Sequence, residues 1–194
     1  EEGHKYGLDI SAYTTQVSFF DYDMDGDLDC FMINNSPMPI NTLNNANRRD
    51  LPDSLWPVAP FLKGGGDHLY RNDNGHFKEI TQSAGIHGSL ISFGLGVSIG
   101  DVNNDGYPDI ISVDMLPSDP YILKRSLGED LYDLLNFKIK TFYSHQYTRN
   151  NLQYNRRNGT FSELGLFSGV AAQDLSVARV WFVFAIYRLN VLVI

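Results

Sequence analysis

The sequence predicts an all-β fold assembled from two copies of one four-strand unit. Three observations carry this: a nine-residue acidic loop that occurs twice, an Asn-Gly hairpin that occurs twice, and short β-branched or aromatic runs flanking each. The acidic loops are Asp21-Tyr-Asp-Met-Asp-Gly-Asp-Leu-Asp29 and Asp101-Val-Asn-Asn-Asp-Gly-Tyr-Pro-Asp109, offset by 80 residues (101 − 21). The hairpins run from Leu69 to Ile80 and from Gln153 to Leu164, and superpose at an offset of 84 (154 − 70). That offset also carries Ala84-Gly85-Ile86 onto Ser168-Gly169-Val170.

Taken along the chain, the first unit opens with a strand at Val17–Phe20, turns through loop 21–29 and continues as a strand at Cys30–Ile33. Between Pro37 and Pro60 lie five of the eight prolines, which predicts an irregular excursion rather than a strand. The hairpin 68–80 follows, where Asn74-Gly75 suits the left-handed dihedrals of a type I′ turn. The second unit repeats the order: strand Val97–Gly100, loop 101–109, strand Ile110–Val113, then hairpin 152–164 around Asn158-Gly159. Its insertion, Tyr121 to Lys140, carries Leu127, Leu131 and Leu134 at helical spacing and predicts a short helix. Four strands per unit is the content of a propeller blade, so residues 1–174 are expected to form two blades of a partial β-propeller. Residues 175–194 are apolar and strand-like and contain no Asp or Glu where a third loop is due, so they are expected to be a degenerate or truncated third unit. The almost wholly apolar run within them, Val180–Ile194, is 15 residues long (194 − 180 + 1), shorter than the ~20 residues of a transmembrane helix.

Composition narrows the function classes. The 194 residues carry 15 Lys+Arg against 23 Asp+Glu, a formal charge of −8, which argues against binding nucleic acid through its phosphates. A 43% hydrophobic content with 12 Phe and 11 Tyr argues against disorder. The single cysteine, Cys30, excludes an internal disulfide and a cysteine-based zinc site. Glu1 rather than Met opens the chain with no signal segment visible, so a processed or incomplete N-terminus is expected.

The acidic loops carry the chemistry. Asp21, Asp23, Asp25 and Asp29 occupy positions 1, 3, 5 and 9 of the first, and Asp101, Asn103, Asp105 and Asp109 those of the second. Gly26 and Gly106 stand at position 6, where the chain must turn sharply, and Asp27 and Tyr107 at position 7 would offer a backbone carbonyl. An all-oxygen wrap-around loop is what Ca²⁺ requires, with 6–8 oxygen ligands at about 2.3–2.6 Å; Mg²⁺ demands a tighter octahedron. Two Ca²⁺ sites are therefore expected. Position 12 is Met32 or Ser112 rather than Glu, and strands rather than helices follow, so the loops are not EF-hands.

The D-x-[DN]-x-D-G-x-x-D loop before a strand, together with Leu69-Tyr-Arg-Asn-Asp-Asn-Gly-His-Phe77, resembles the FG-GAP/VCBS repeats of integrin-α-like β-propellers. More narrowly, Gly7-Leu-Asp-Ile-Ser, Phe19-Phe-Asp-Tyr-Asp, Asp114-Met-Leu-Pro and Ser168-Gly-Val-Ala-Ala resemble bacterial proteins of the ASPIC/UnbV, cartilage-acidic-protein type. The resemblance implies a seven-bladed propeller, further blades outside this chain, a secreted, periplasmic or cell-surface location, and a non-enzymatic role in binding a protein or glycan. The alternative is the propeller portion of an extracytoplasmic enzyme acting on a carbohydrate or phosphoester, for which Asp67-His68, Glu129-Asp130 and Asp133 are the candidate acid–base groups. Smaller candidates have simpler expectations: His68 and His87 pack against hairpins, His145 near Tyr143 and Tyr147 lies in an insertion, and Cys30 is a buried apolar cysteine. Ser11, Ser18 and Ser92 lack a nucleophile elbow, and Gly94-Leu-Gly96 opens a strand rather than a phosphate-binding helix.

Overall fold

In the computed structural model the described residues are 2–36, 65–88, 92–114 and 149–172. They form two four-stranded sheets. The first contains β1 (Tyr13–Phe20), β2 (Asp29–Asn35), β3 (Gly66–Asp73) and β4 (His76–Glu79). The second contains β5 (Gly96–Gly100), β6 (Asp109–Val113), β7 (Asn151–Asn155) and β8 (Phe161–Glu163). Each is an antiparallel meander in chain order, without a crossover. This is the all-β, propeller-like arrangement that the repeats predict. Two one-turn helices, α1 (Gly3–Tyr6) and α2 (Gly165–Ser168), end on Gly7 and Gly169 in the left-handed region. No helix among the described residues is long and apolar enough to cross a membrane. The Pro37–Pro60 excursion, the 121–140 helix and the 175–194 tail lie outside the described residues.

Side chains alternate across a strand, so each sheet has two distinct faces. Phe20, Phe31, Ile33 and Leu69 of the first sheet pack against Ile110 and Phe161 of the second, with Val97 and Ile99 alongside. Tyr22, Ala84 and Ile86 close this core. Fully burying each Phe, Ile or Leu contributes about 1.5–3 kcal/mol, which makes this seam the main source of cohesion between the sheets. Polar contacts fix its alignment. The Gln16 amide donates to Val97 O at 3.1 Å and accepts from Val97 N at 3.1 Å, and Phe161 N donates to Ala84 O at 2.7 Å.

The far face of the second sheet repeats the first sheet's half of that seam. Ile111, Leu152 and Val170 cluster there with Val102, Val113 and Leu164. These residues stand where Phe31, Leu69, Ile86, Tyr22, Ile33 and Ile80 stand in the first unit. The opposite outer face, on the first sheet, is Cys30, Met32 and Tyr70, covered by Leu8, Ile10 and Phe77. The Cys30 thiol is fully enclosed, and burial pushes its pKa up to about 12.

One expectation needs correction. The first hairpin is the two-residue type, with Asn74 at φ 57 and Gly75 at φ 87. The second is wider: Arg156 N donates to Thr160 O at 2.9 Å, leaving Arg157, Asn158 and Gly159 as the turn, with Arg157 itself at φ 58. Strand pairing therefore aligns Tyr70 with Gln153, because Cys30 faces the one and Ile110 the other. The uniform offset of 84 holds for β4 and β8, whereas β3 and β7 are offset by 83 (153 − 70). Arg157 is the extra residue.

Candidate metal centre

Both acidic loops join the first strand of a sheet to the second, so they lie at the same end as the hairpin turns. Met24 and Gly26 have φ 64 and 98, and Asn104 and Gly106 have φ 56 and 89, so each loop enters the left-handed region twice at matching positions. Nothing lies within 4 Å of a Cβ built on Gly26 or Gly106, so backbone dihedral rather than crowding calls for glycine.

The wrap is held by the same hydrogen bonds in both copies. The position-1 carboxylate accepts from the position-5 and position-6 amides: Asp21 from Asp25 N (3.1 Å) and Gly26 N (3.0 Å), Asp101 from Asp105 N (3.0 Å) and Gly106 N (2.8 Å). The position-5 carboxylate accepts from position 7, Asp25 from Asp27 N at 3.1 Å and Asp105 from Tyr107 N at 2.9 Å. The buried position-9 carboxylate ties the loop to its sheet. Asp29 accepts from Tyr22 N (3.0 Å) and Asn72 N (2.9 Å), and Asp109 from Val102 N (2.9 Å) and Asn155 N (2.7 Å).

In the first loop one carboxylate oxygen each from Asp21, Asp23 and Asp29 lies within 4.8 Å of the others. Asp23 Oδ1 and Asp27 Oδ1 are buried without a hydrogen-bond partner. Burial, joined by the charges of Asp25 and Asp21, raises the pKa of both Asp23 and Asp27. Burial also pushes Asp29 up to about 6, against the pull of the Asn72 and Tyr22 N–H donors. Two such charges 4 Å apart repel by about 4 kcal/mol at an effective dielectric of 20. The converged carboxylates of Asp21, Asp23 and Asp29, with an unpartnered oxygen on Asp23 and no basic side chain among the described residues hydrogen-bonded to them, are a donor set that fits a hard cation.

The second loop differs at position 5. Asp105 Oδ2 accepts from Arg157 Nε at 2.8 Å and from Asn103 Nδ2 at 2.8 Å. Asn103 Nδ2 also donates to Tyr154 Oη at 2.8 Å. Burial would raise the Asp105 pKa, but the Asn103 amide, the Tyr107 N–H and Arg157 outweigh it and lower it. Burial raises Asp109, as it does Asp29. Of the ten sequence-identified residues, the structure converges Asp21, Asp23 and Asp29; among the described residues no such three-group cluster includes Asp25, Asp27, Asp101, Asp105 or Asp109.

Sequence reasoning missed the two hairpin amides, Asn72 and Asn155, because a backbone donor leaves no side-chain signature. It also missed Arg157, for which the doubled Arg156-Arg157 was the available signal. Of the acid–base candidates, Asp67 and His68 point to opposite faces of β3. Asp67 accepts from Ser112 Oγ at 2.8 Å in the seam, while His68 stacks on Tyr70 and bonds Glu79 at 2.8 Å. Glu129, Asp130, Asp133 and His145 lie outside the described residues.

A family model described as an FG-GAP-like repeat matches residues 51–112. Its span takes in the first hairpin, β5 and the whole second acidic loop, and ends within β6. A search of the curated proteins gives no match.

Proposed function

We propose, from the match of residues 51–112 to an FG-GAP-like repeat, that this chain is an FG-GAP/VCBS repeat protein, a calcium-stabilised, non-enzymatic propeller portion that presents a surface to a protein or glycan outside the cytoplasm. The observation that carries the calcium assignment is the convergence of one carboxylate oxygen each from Asp21, Asp23 and Asp29, with Asp23 Oδ1 buried and without a hydrogen-bond partner. Asp21, Asp23, Asp25 and Asp29 would hold the ion with the carbonyl of Asp27; Asp101, Asn103, Asp105, Tyr107 and Asp109 form the corresponding second set. A bound Ca²⁺ supplies positive charge and no reaction.

The binding role follows from the placement of the variable segments. The ends of β2 and β6 and the starts of β3 and β7, between which residues 37–64 and 115–148 run in the sequence, lie opposite the acidic loops. Segments attached to a rigid sheet at one common edge are where recognition residues concentrate. The separation of Asp67 from His68 supports the non-enzymatic reading, as does the resemblance of residues 7–174 to ASPIC/UnbV-type proteins.

The test is equilibrium dialysis of the chelator-stripped, full 194-residue chain against CaCl2 and against MgCl2, with Asp23→Asn alongside. Selective uptake of Ca²⁺ that Asp23→Asn diminishes is the expected result. No uptake, or uptake indifferent to Asp23, overturns the assignment. Turnover of a carbohydrate or phosphoester by the calcium-loaded chain would overturn the non-enzymatic part.

A further inference from the structure

The two loops share a backbone but not a charge. The odd positions of the first carry five aspartates, Asp21, Asp23, Asp25, Asp27 and Asp29. The same positions of the second carry three, Asp101, Asp105 and Asp109, with Asn103 and Tyr107 between them. Among the described residues, only the second loop has a carboxylate hydrogen-bonded to a guanidinium, Arg157 Nε on Asp105 Oδ2 at 2.8 Å, whereas Arg71 acts on Asp23 of the first loop by its charge alone. The Asp105 side chain is only 7% exposed, so this contact is shielded on the carboxylate side, whereas Arg157 remains 54% exposed.

The delivery of that charge is built into the backbone. Arg157 is the one-residue insertion that widens the second hairpin, and it sits at φ 58, which a non-glycine residue adopts rarely. Asn155 Oδ1 supports that conformation by accepting Arg157 N at 2.9 Å. Asn155 is itself fixed, its amide donating to Tyr22 O at 2.8 Å and Pro108 O at 3.2 Å. The first hairpin has no counterpart to Arg157, and its neighbouring Asp73 carries the opposite charge, paired with Arg71 at 2.9 Å.

We propose that Arg157 serves as a built-in cation for the second loop, so that the first loop is the dominant divalent-ion site and the second binds weakly, in competition with this side chain. This rests on the calcium-binding role above. Calcium loops tune affinity by the number of charged ligands, and both the smaller aspartate count and the competing guanidinium act in the same direction.

Isothermal calorimetry of CaCl2 into the stripped full chain tests it, comparing wild type, Arg157→Gln and Asp23→Asn. Wild type is expected to show two classes of site at least about tenfold apart in Kd, a difference of about 1.4 kcal/mol. Arg157→Gln should tighten only the weaker class, several-fold, and Asp23→Asn, which installs the Asn that the second loop carries at that position, should weaken the tighter one several-fold. Two equal classes in wild type, or a weaker class unmoved by Arg157→Gln, would overturn the proposal and leave the calcium assignment standing. Absence of binding in all three proteins would overturn both.

Discussion

The two ends of the seam between the sheets bury their carboxylates in different ways. At the loop end, Asp29 and Asp109 each accept two backbone N–H bonds, one from their own loop and one from the neighbouring hairpin strand. At the other end, Asp67 is 4% exposed and receives a single hydroxyl bond from Ser112 of the opposite sheet. The first arrangement is intrinsic to one unit and therefore repeats. The second forms only where two unlike units meet, and it does not repeat: Ser112 stands where the first unit has Met32, and Asn150 where it has Asp67. A repeat motif thus specifies what each blade does for itself, while the contact between blades is specified by what differs.

The largest effect expected from this contrast is at the loop end. Asp29→Ala orphans two buried N–H donors at about 1–3 kcal/mol each, so urea unfolding should show a loss of about 2–5 kcal/mol. In chelator, Asp109→Ala should match it within about 1 kcal/mol, since its two backbone bonds are the same. A loss below about 1 kcal/mol at either site would break the equivalence of the two copies.

Next comes the far end, where space is the constraint. A Cβ on Gly88 would collide with Asp67 N, a backbone atom that has to move to admit it. Gly88→Ala should cost about 1–3 kcal/mol by the same measurement. Gly106→Ala, where only the left-handed dihedral opposes the methyl, should cost about 1–2 kcal/mol. Equal losses relieved in both by a neighbouring cavity mutation would contradict the distinction, because a dihedral penalty is insensitive to space.

A further effect at the far end is a pH dependence carried by Asp67. Burial, joined by the field of Asp114 and opposed by the Ser112 hydroxyl, raises its pKa to about 7 from the usual 3.8. The folded protein then holds this proton more tightly than the unfolded chain. Its contribution is full below about pH 3.8 and is lost as pH rises through about 7. The stability difference between wild type and Asp67→Asn should shift in favour of the variant between pH 4 and pH 8. A difference that is flat across that window would show that Asp67 is ionised throughout.

How much was legible in the sequence follows the same division. The strands, both acidic loops and the Asn74-Gly75 turn were readable because each is a local pattern: alternation, a fixed oxygen spacing, a left-handed dipeptide. The second hairpin was misread by one residue. The Gln153-Tyr154 and Asn158-Gly159 matches favour an ungapped alignment, whereas strand pairing puts Leu152 opposite Ile111, as Leu69 is opposite Phe31, and the slack is taken up at Arg157. The Asp67–Ser112 bond was not readable at all, since it joins positions 45 residues apart across two sheets. At Asp105 the loop spacing identified the residue but not its partner, because Arg157 reaches it from a different strand connection.

The most direct test of the central claim, that the acidic loops hold calcium as a structural ion, is a set of thermal melts of the full chain. They would be run in chelator and then with CaCl2 or MgCl2 restored. The account predicts one cooperative transition that rises with calcium and much less with magnesium, by the equivalent of about 2.7 kcal/mol for a site at 100 times its Kd. Asp21→Asn and Asp23→Asn should blunt the rise. A cooperative melt that is identical in chelator and in saturating calcium would contradict it.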